Sequence, residues 1–292
     1  PALLRRRVEA GALSLKTYVD ALSKLLAADE VALQTEALNN LVSLGKVYVD
    51  TPSRRKVFHT WLEGHLKPLW AALEGKNIDA ADVEGVRLRD RVRRLLAFEI
   101  RAQSFLKRGR EVLLDMLNKP SKTWTSEQRE WFGIGALTAE LNTWQRMTTR
   151  LKSERNSTNR GLLVRAIGVS PLKEKRADAR RLFTQGIIPA QDFWLVASGL
   201  GWRDRDERWH WVQSSMPELE KTLTEGGFSA LPWLASGYCD TAKIDEMHAV
   251  FSPLLNAHPA MTRSLALAKE SVNECIRLRT LWKDQFESIL AK

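Results

Sequence analysis

Cysteine is close to absent from this chain: 292 residues hold two, Cys239 and Cys275. That excludes a small scaffold stapled by several disulfides. Each lies among apolar neighbours in a segment that reads as helix, so both are expected as buried free thiols. A disulfide between them is the alternative, though the spacing gives it no support, and cysteine usage leaves the compartment open. Glycine (16) and proline (10) are also sparse, and no run alternates β-branched with polar residues, which argues against a sheet. No apolar stretch approaches the ~18 residues of a membrane span. Five histidines are present, without ligand spacing. His59 and His65 in HTWLEGH are six apart, far round a helix from each other, whereas a zinc-protease helix places its two histidines four apart. His59 and Glu63 share a face, but two ligands do not make a site. Ser198 in VASGLG and Ser236 in LASGYC lack the Gly-x-Ser-x-Gly elbow. Gly133 and Gly135 lack the strand that a phosphate-binding turn requires, and helix packing accounts for them better. No catalytic residue, cofactor or metal ligand is therefore assigned to this chain.

What is present favours helix throughout. The chain is 44% hydrophobic with eleven Trp and nine Phe, enough to build a large core. Start signals recur: Ser14 before LKTYVDALSKLLAA, Asp29, Thr51-Pro52, Asn142 with Gln145 at capping-box spacing, Ser170-Pro171, Ile188-Pro189, Thr241 and Pro259. Between them apolar residues fall at three- and four-residue steps, as in Leu265, Ala268, Val272, Cys275, Ile276, Trp282, Phe286 and Ile289. About fourteen to sixteen helices on short connections follow from this punctuation. The expected fold class is all-α: an α-solenoid of HEAT/armadillo-like antiparallel helix pairs forming a curved bowl, with one long C-terminal helix over about 259–290. A compact helical bundle is the alternative. Residues 1–292 are expected to form a single domain. The opening PALLRRRVEAG has no initiating Met and reads as part of a longer polypeptide.

The formal charge is +10, which raises nucleic acid, acidic lipid or an anionic ligand as partner. RLRDRVRR at 87–94 sets Arg87, Arg91 and Arg94 on one helix flank beside a stripe of Leu88, Val92 and Leu95. Such a flank is either a solvated, snorkelling surface or an anion site, since guanidinium forks grip carboxylates in pairs. A nucleic-acid binder interleaves basic residues with exposed aromatics. Here most Trp lie on apolar stripes, so nucleic acid is not an expected partner.

Four segments in series carry a resemblance: ERNSTNRGLLVRAIGVSPLKEK, IIPAQDFWLVASGLGWRDRDERWHWVQ, FSALPWLASGYCDTAKIDEMHAVFSPL and MTRSLALAKESVNECIRLRTLWKDQFESIL. Their order and spacing resemble the C-terminal helical domain of aminopeptidase N-like zinc aminopeptidases, the gluzincin family that includes the endoplasmic-reticulum aminopeptidases. Gln191 fits the glutamine of that family's Gln-Asp/Asn helix start, and Trp211 the tryptophan of its following aromatic segment. LSLKTYVDALSKLLAADEVALQTEALNNLVSLGKVYV and VRLRDRVRRLLAFEI are similar to its opening helices. The resemblance implies a domain that encloses the active site, controls access and contacts the peptide substrate. It implies that zinc belongs to a catalytic domain upstream in the same polypeptide. Gln191, Arg160, Arg165, Arg87, Arg91 and Arg94 are then the candidates for peptide binding. Asp192 is expected to serve the helix N-terminus, and Trp211 the core. Two other readings stay open: a freestanding α-solenoid that binds a protein partner in a groove, and a basic helical nucleic-acid binder.

Overall fold

Helix starts in this protein are set by short polar side chains that take over unpaired backbone donors. Ser14 accepts from the Thr17 amide at 3.1 Å and opens Leu15–Leu26 (α2). Thr51 accepts from the Arg54 amide at 3.2 Å at the head of Pro52–Glu74 (α4). The capping box forms at Thr125 and Gln128, not at Asn142 and Gln145. The Thr125 hydroxyl accepts from the Gln128 amide, and the Gln128 side chain accepts from the Thr125 amide. Asn142 falls inside its helix because the extended backbone of Glu140 already begins it. Asp29 likewise yields to Glu30 as the residue that precedes its helix.

The computed structural model describes residues 2–74, 78, 82–120, 123–199 and 201–290. Among these it has sixteen α-helices and no strand. After Ala2–Glu9 (α1) come α2, Val31–Tyr48 (α3), α4 and Val83–Arg94 (α5), whose end continues as a π-helical turn, Leu95–Ile100. Gln103–Leu117 (α6), Ser126–Gly135 (α7), Leu141–Ser153 (α8), Ser157–Gly168 (α9) and Lys173–Thr184 (α10) follow. Shorter helices come next: Phe193–Ala197 (α11), Arg205–Ser214 (α12), Met216–Thr222 (α13) and Glu225–Ser229 (α14). Thr241–Phe251 (α15) and Met261–Leu290 (α16) complete the chain. The expected long terminal helix is α16, with 30 residues, about 45 Å at the helical rise.

The chain divides into two compact units. Unit 1 takes residues 1–100, 237–244 and 270–292; unit 2 takes 101–236 and 245–269. In unit 1, Leu15, Tyr18, Val19, Leu22 and Leu26 line the buried face of α2 and meet Leu38 and Leu41 of α3, both fully buried. The Tyr18 hydroxyl donates to Asn40 at 2.8 Å, and burial pushes its pKa up to about 12. The rear of α16 is tied in by the Gln285 side chain, which accepts from the Leu15 amide at 2.9 Å, and by Glu287, 2.6 Å from Arg54.

Cys239 and Cys275 are not free thiols; they form a disulfide, with Cα atoms 5.2 Å apart. Cys275 lies in α16 as expected, but Cys239 lies ahead of α15 in non-helical chain. From that non-helical position its side chain reaches α16.

In unit 2, α6 and α7 cross most closely where Gly109 meets Gly135. A Cβ on Gly109 would stand 2.7 Å from the Gly135 nitrogen, whereas one on Gly133 would meet nothing. Packing therefore explains one of the paired glycines. Trp124, Trp131 and Trp144 are core residues, and two have satisfied tips: Trp124 donates to the Met116 carbonyl and Trp144 to that of Ile167, each at 3.2 Å. Basic side chains cover their rings, Arg108 over Trp131 (4.6 Å), Arg150 over Trp124 (5.5 Å) and Lys175 over Trp144 (5.1 Å). Part of the positive charge thus lies on aromatic faces and contributes to packing.

Candidate functional site

The densest buried chemistry of unit 2 lies between α10 and α12. On α10 the inward face carries Arg176, Ala179, Arg180 and Phe183, the i, i+3, i+4, i+7 pattern of a core stripe with two positions given to arginine. On the facing segment Asp204 and Arg208 stand four apart, followed by buried Trp209, Trp211 and Val212. Arg176 grips Glu207 through Nε and Nη2, at 3.1 and 2.6 Å, and donates through Nη1 to the Ser170 and Pro171 carbonyls. Arg180 donates to Asp204 at 3.1 Å, and Arg208 pairs with the other oxygen of the same carboxylate. Asp204 has no exposed side-chain surface, and the three arginines are at most 10% exposed. Burial lowers the Arg180 pKa, against the pull of Asp204 and Glu207 in the opposite direction.

Backbone geometry makes room for this cluster. Gly199 adopts φ +44°, and a Cβ there would run into the Asp204 carboxylate. Only glycine accommodates both the left-handed backbone and the contact. Arg180 also lies 5.7 Å over the Trp211 ring, which stacks on Phe193 at 5.7 Å and meets Phe183 edge-on. Trp211 is thus a core residue, as expected from the sequence, and it forms one wall of a cleft of about 590 Å³. Lys173, Arg181 and His210, all exposed, stand around that cleft with Asp206 and Glu207. Beneath it three guanidiniums face two carboxylates, which leaves the buried cluster with an excess of positive charge. Such a field favours an anion at the mouth of the cleft.

None of the six candidate residues named from the sequence lines this cleft. Gln191 is exposed in the 3-10 turn Ala190–Asp192 that Pro189 begins. Asp192 precedes α11 without a side-chain capping bond. Partial burial raises its pKa, and the charge of Arg160 offsets part of that rise. The fold thus brings Arg160 and the 190–192 turn together. Arg160 spends donors on the carbonyls of Leu151 (3.3 Å) and Ile187 (2.7 Å). Arg165 is half-buried further along α9. Arg87, Arg91 and Arg94 belong to unit 1 and are exposed on α5, with Arg87 paired to Glu84 at 2.9 Å. Arg93, expected off that flank, is 3% exposed and lies 5.8 Å over the Trp70 ring.

The ERAP1-like C-terminal domain model matches residues 5–274. The chain belongs to that family. No curated protein matches it. In this ERAP1-like C-terminal domain, the described residues include no group of three or more His, Cys, Asp or Glu able to hold a metal ion. Glu63, the partner considered for His59, is taken by Lys67 at 2.9 Å. The zinc implied by the family therefore has no fitting ligand set among them. No described helix is long and apolar enough to cross a membrane.

The sequence reading missed Arg176, Arg180, Asp204 and Arg208, because charge-rich segments such as KEKRADARR and RDRDER ordinarily read as solvated surface. Their signal was positional: charged residues standing at the core spacing of otherwise apolar stripes.

Proposed function

We propose that this chain is the single C-terminal helical domain of a zinc aminopeptidase. In this reading its helix pairs stack as a curved α-solenoid bowl over the active site of a catalytic domain upstream in the same polypeptide. The domain encloses that site, limits access and contacts the peptide substrate, while zinc and bond cleavage belong to the catalytic domain. The observation that carries the reading is the family match across residues 5–274. The net positive charge and the basic cleft beside Trp211 support it, because peptides bring a carboxylate. Gln191, Arg160, Arg165, Arg87, Arg91 and Arg94 are the proposed peptide contacts. Nucleic acid has no part in this reading, and none of the described helices is a membrane span.

Two measurements test it. The isolated chain, assayed with an aminoacyl chromogenic substrate and by metal analysis, is expected to show neither turnover nor bound zinc. Stoichiometric zinc with turnover overturns the proposal. In the parent enzyme, Gln191→Ala is expected to raise KM for peptides severalfold while kcat on a single-residue substrate stays unchanged. An equal effect on both substrates removes Gln191 from the peptide site.

A further inference from the structure

Unit 1 is assembled from three separate stretches of chain, and one of them is only eight residues long. Residues 237–244 belong to it although the chain on both sides belongs to unit 2. Three ties help to hold this stretch. Tyr238 is buried at 4% exposure. The Arg279 guanidinium donates to the Cys239 carbonyl at 3.0 Å and, through Nε, to the Val47 carbonyl at 2.8 Å. The third is the Cys239–Cys275 disulfide. Arg279 and the disulfide lie one turn apart on α16, so all three stretches of unit 1 meet at this point: the end of α3, residues 237–244 and α16. The Lys46 carbonyl stands 3.8 Å from the Cys275 sulfur at the same junction.

The two sulfurs are unequally accessible. Cys239 is 9% exposed, whereas Cys275 is only half-buried on α16. We infer that this pair is a redox-operated clasp that fastens residues 237–244 to α16 and opens to a dithiol reductant. The reductant's thiolate attacks the Cys275 sulfur, and the S–S bond breaks. Cys239 leaves as a thiolate and takes a proton. The second reductant thiol then resolves the mixed disulfide, which returns Cys275 as a thiol and the reductant as its own disulfide. Two electrons and two protons pass to the protein. Closed, the clasp suits an oxidising compartment; a thiol-reducing one opens it. Once open, the eight residues lose their covalent link to α16, while the Tyr238 side chain and the Arg279 bond remain.

The test uses the chain as described, isolated without reductant. Thiol titration under denaturing conditions is expected to find no free thiol, and two after treatment of the folded protein with dithiothreitol. Hydrogen exchange is expected to rise in 237–244 and at 46–49 on reduction, to stay unchanged in α6–α9, and to recover on reoxidation. The thermal midpoint is expected to fall by roughly 5–10 °C. Cys239→Ser is expected to reproduce the exchange pattern and abolish its response to reductant. Two free thiols at the outset, a bond that withstands dithiothreitol in the folded protein, or unchanged exchange in 237–244 would each overturn the clasp. If the serine variant does not fold, the reductant experiment on the unaltered chain still decides.

Discussion

Unit 1 buries little that is polar: among the described residues Gln34 and Arg93 are its buried polar side chains, and its inner faces are largely Leu, Val, Tyr and Phe. Unit 2 buries Glu154, Asn159, Arg176, Arg180, Asp204 and Arg208, together with Ser170 and Ser229. The contrast follows how each is threaded. Unit 2 is mostly one continuous stretch whose neighbouring helices pack in sequence order, α6 on α7, α8 on α9 and α10 on α9. Unit 1 gathers distant stretches and closes them with long-range ties, the disulfide, Arg279 and Gln285. An ion cluster is demanding where it is buried, since each charge removed from water needs its partner in place. A segment that returns from far along the chain carries a loop-closure cost, which a covalent link offsets by restricting the unfolded state.

The largest expected effect lies in the ion cluster. Asp204→Ala leaves Arg180 and Arg208 without their shared carboxylate in a site that excludes water. It is expected to cost about 3–5 kcal/mol in urea unfolding. A loss below ~1 kcal/mol would mean that water or neighbours compensate and that the buried charge of unit 2 is not critical to it.

Next comes the α6–α7 crossing. Gly135→Ala is expected to destabilise by about 1–3 kcal/mol, because its Cβ meets the Gly109 backbone, which cannot rotate away. Gly133→Ala, two residues earlier in open space, is expected to stabilise by ~0.5–1 kcal/mol through helix propensity alone. Thermal melts of the two variants should therefore shift in opposite directions.

Smaller still is a pH effect within unit 2. His258 bonds Glu225 through Nδ1 and Glu220 through Nε2, each at 2.8 Å, and packs against Phe228. The hydrogen bonds to Glu220 and Glu225 raise the His258 pKa, and the bond from His258 lowers that of Glu225. The imidazole's contribution is then complete below its unfolded pKa of about 6.5 and disappears as pH rises through the raised folded value. The Glu225 contribution is complete above about 4.3 and disappears as pH falls through its lowered folded value. The stability difference between the unaltered chain and His258→Gln should be widest between those limits and shrink towards alkaline pH. A difference that stays constant from pH 5 to 9 would contradict the pairing.

The smallest effect is expected in unit 1. Arg87→Ala removes one exposed pair with Glu84 and should change stability by no more than ~0.5 kcal/mol. The variant is therefore usable in peptide-binding assays without a folding artefact.

Much of this architecture was legible in the chain itself. Ser14, Thr51 and the terminal stripe from Leu265 to Ile289 announced α2, α4 and α16, because capping and 3.6-residue periodicity act over a few neighbouring positions. The family resemblance was likewise carried by the order of segments such as PAQDFW and DERWHW. The competing start signals at Asn142 and Asp29 were not decidable locally, since either neighbouring residue could begin the helix. Among the candidate contacts, the sequence placed Gln191 at an exposed turn but could not show that Arg160 would spend its donors on the Leu151 and Ile187 carbonyls.

Helical character, the all-α class and the lack of a local catalytic motif were thus determined by the sequence alone, since each depends on residue types a few positions apart. Only the tertiary structure decided that Cys239 pairs with Cys275, that Asp204 lies buried among three arginines, and that Gly135 rather than Gly133 is held by packing. Each of these outcomes depends on which distant segment lies alongside, and no local pattern of side chains encodes that proximity.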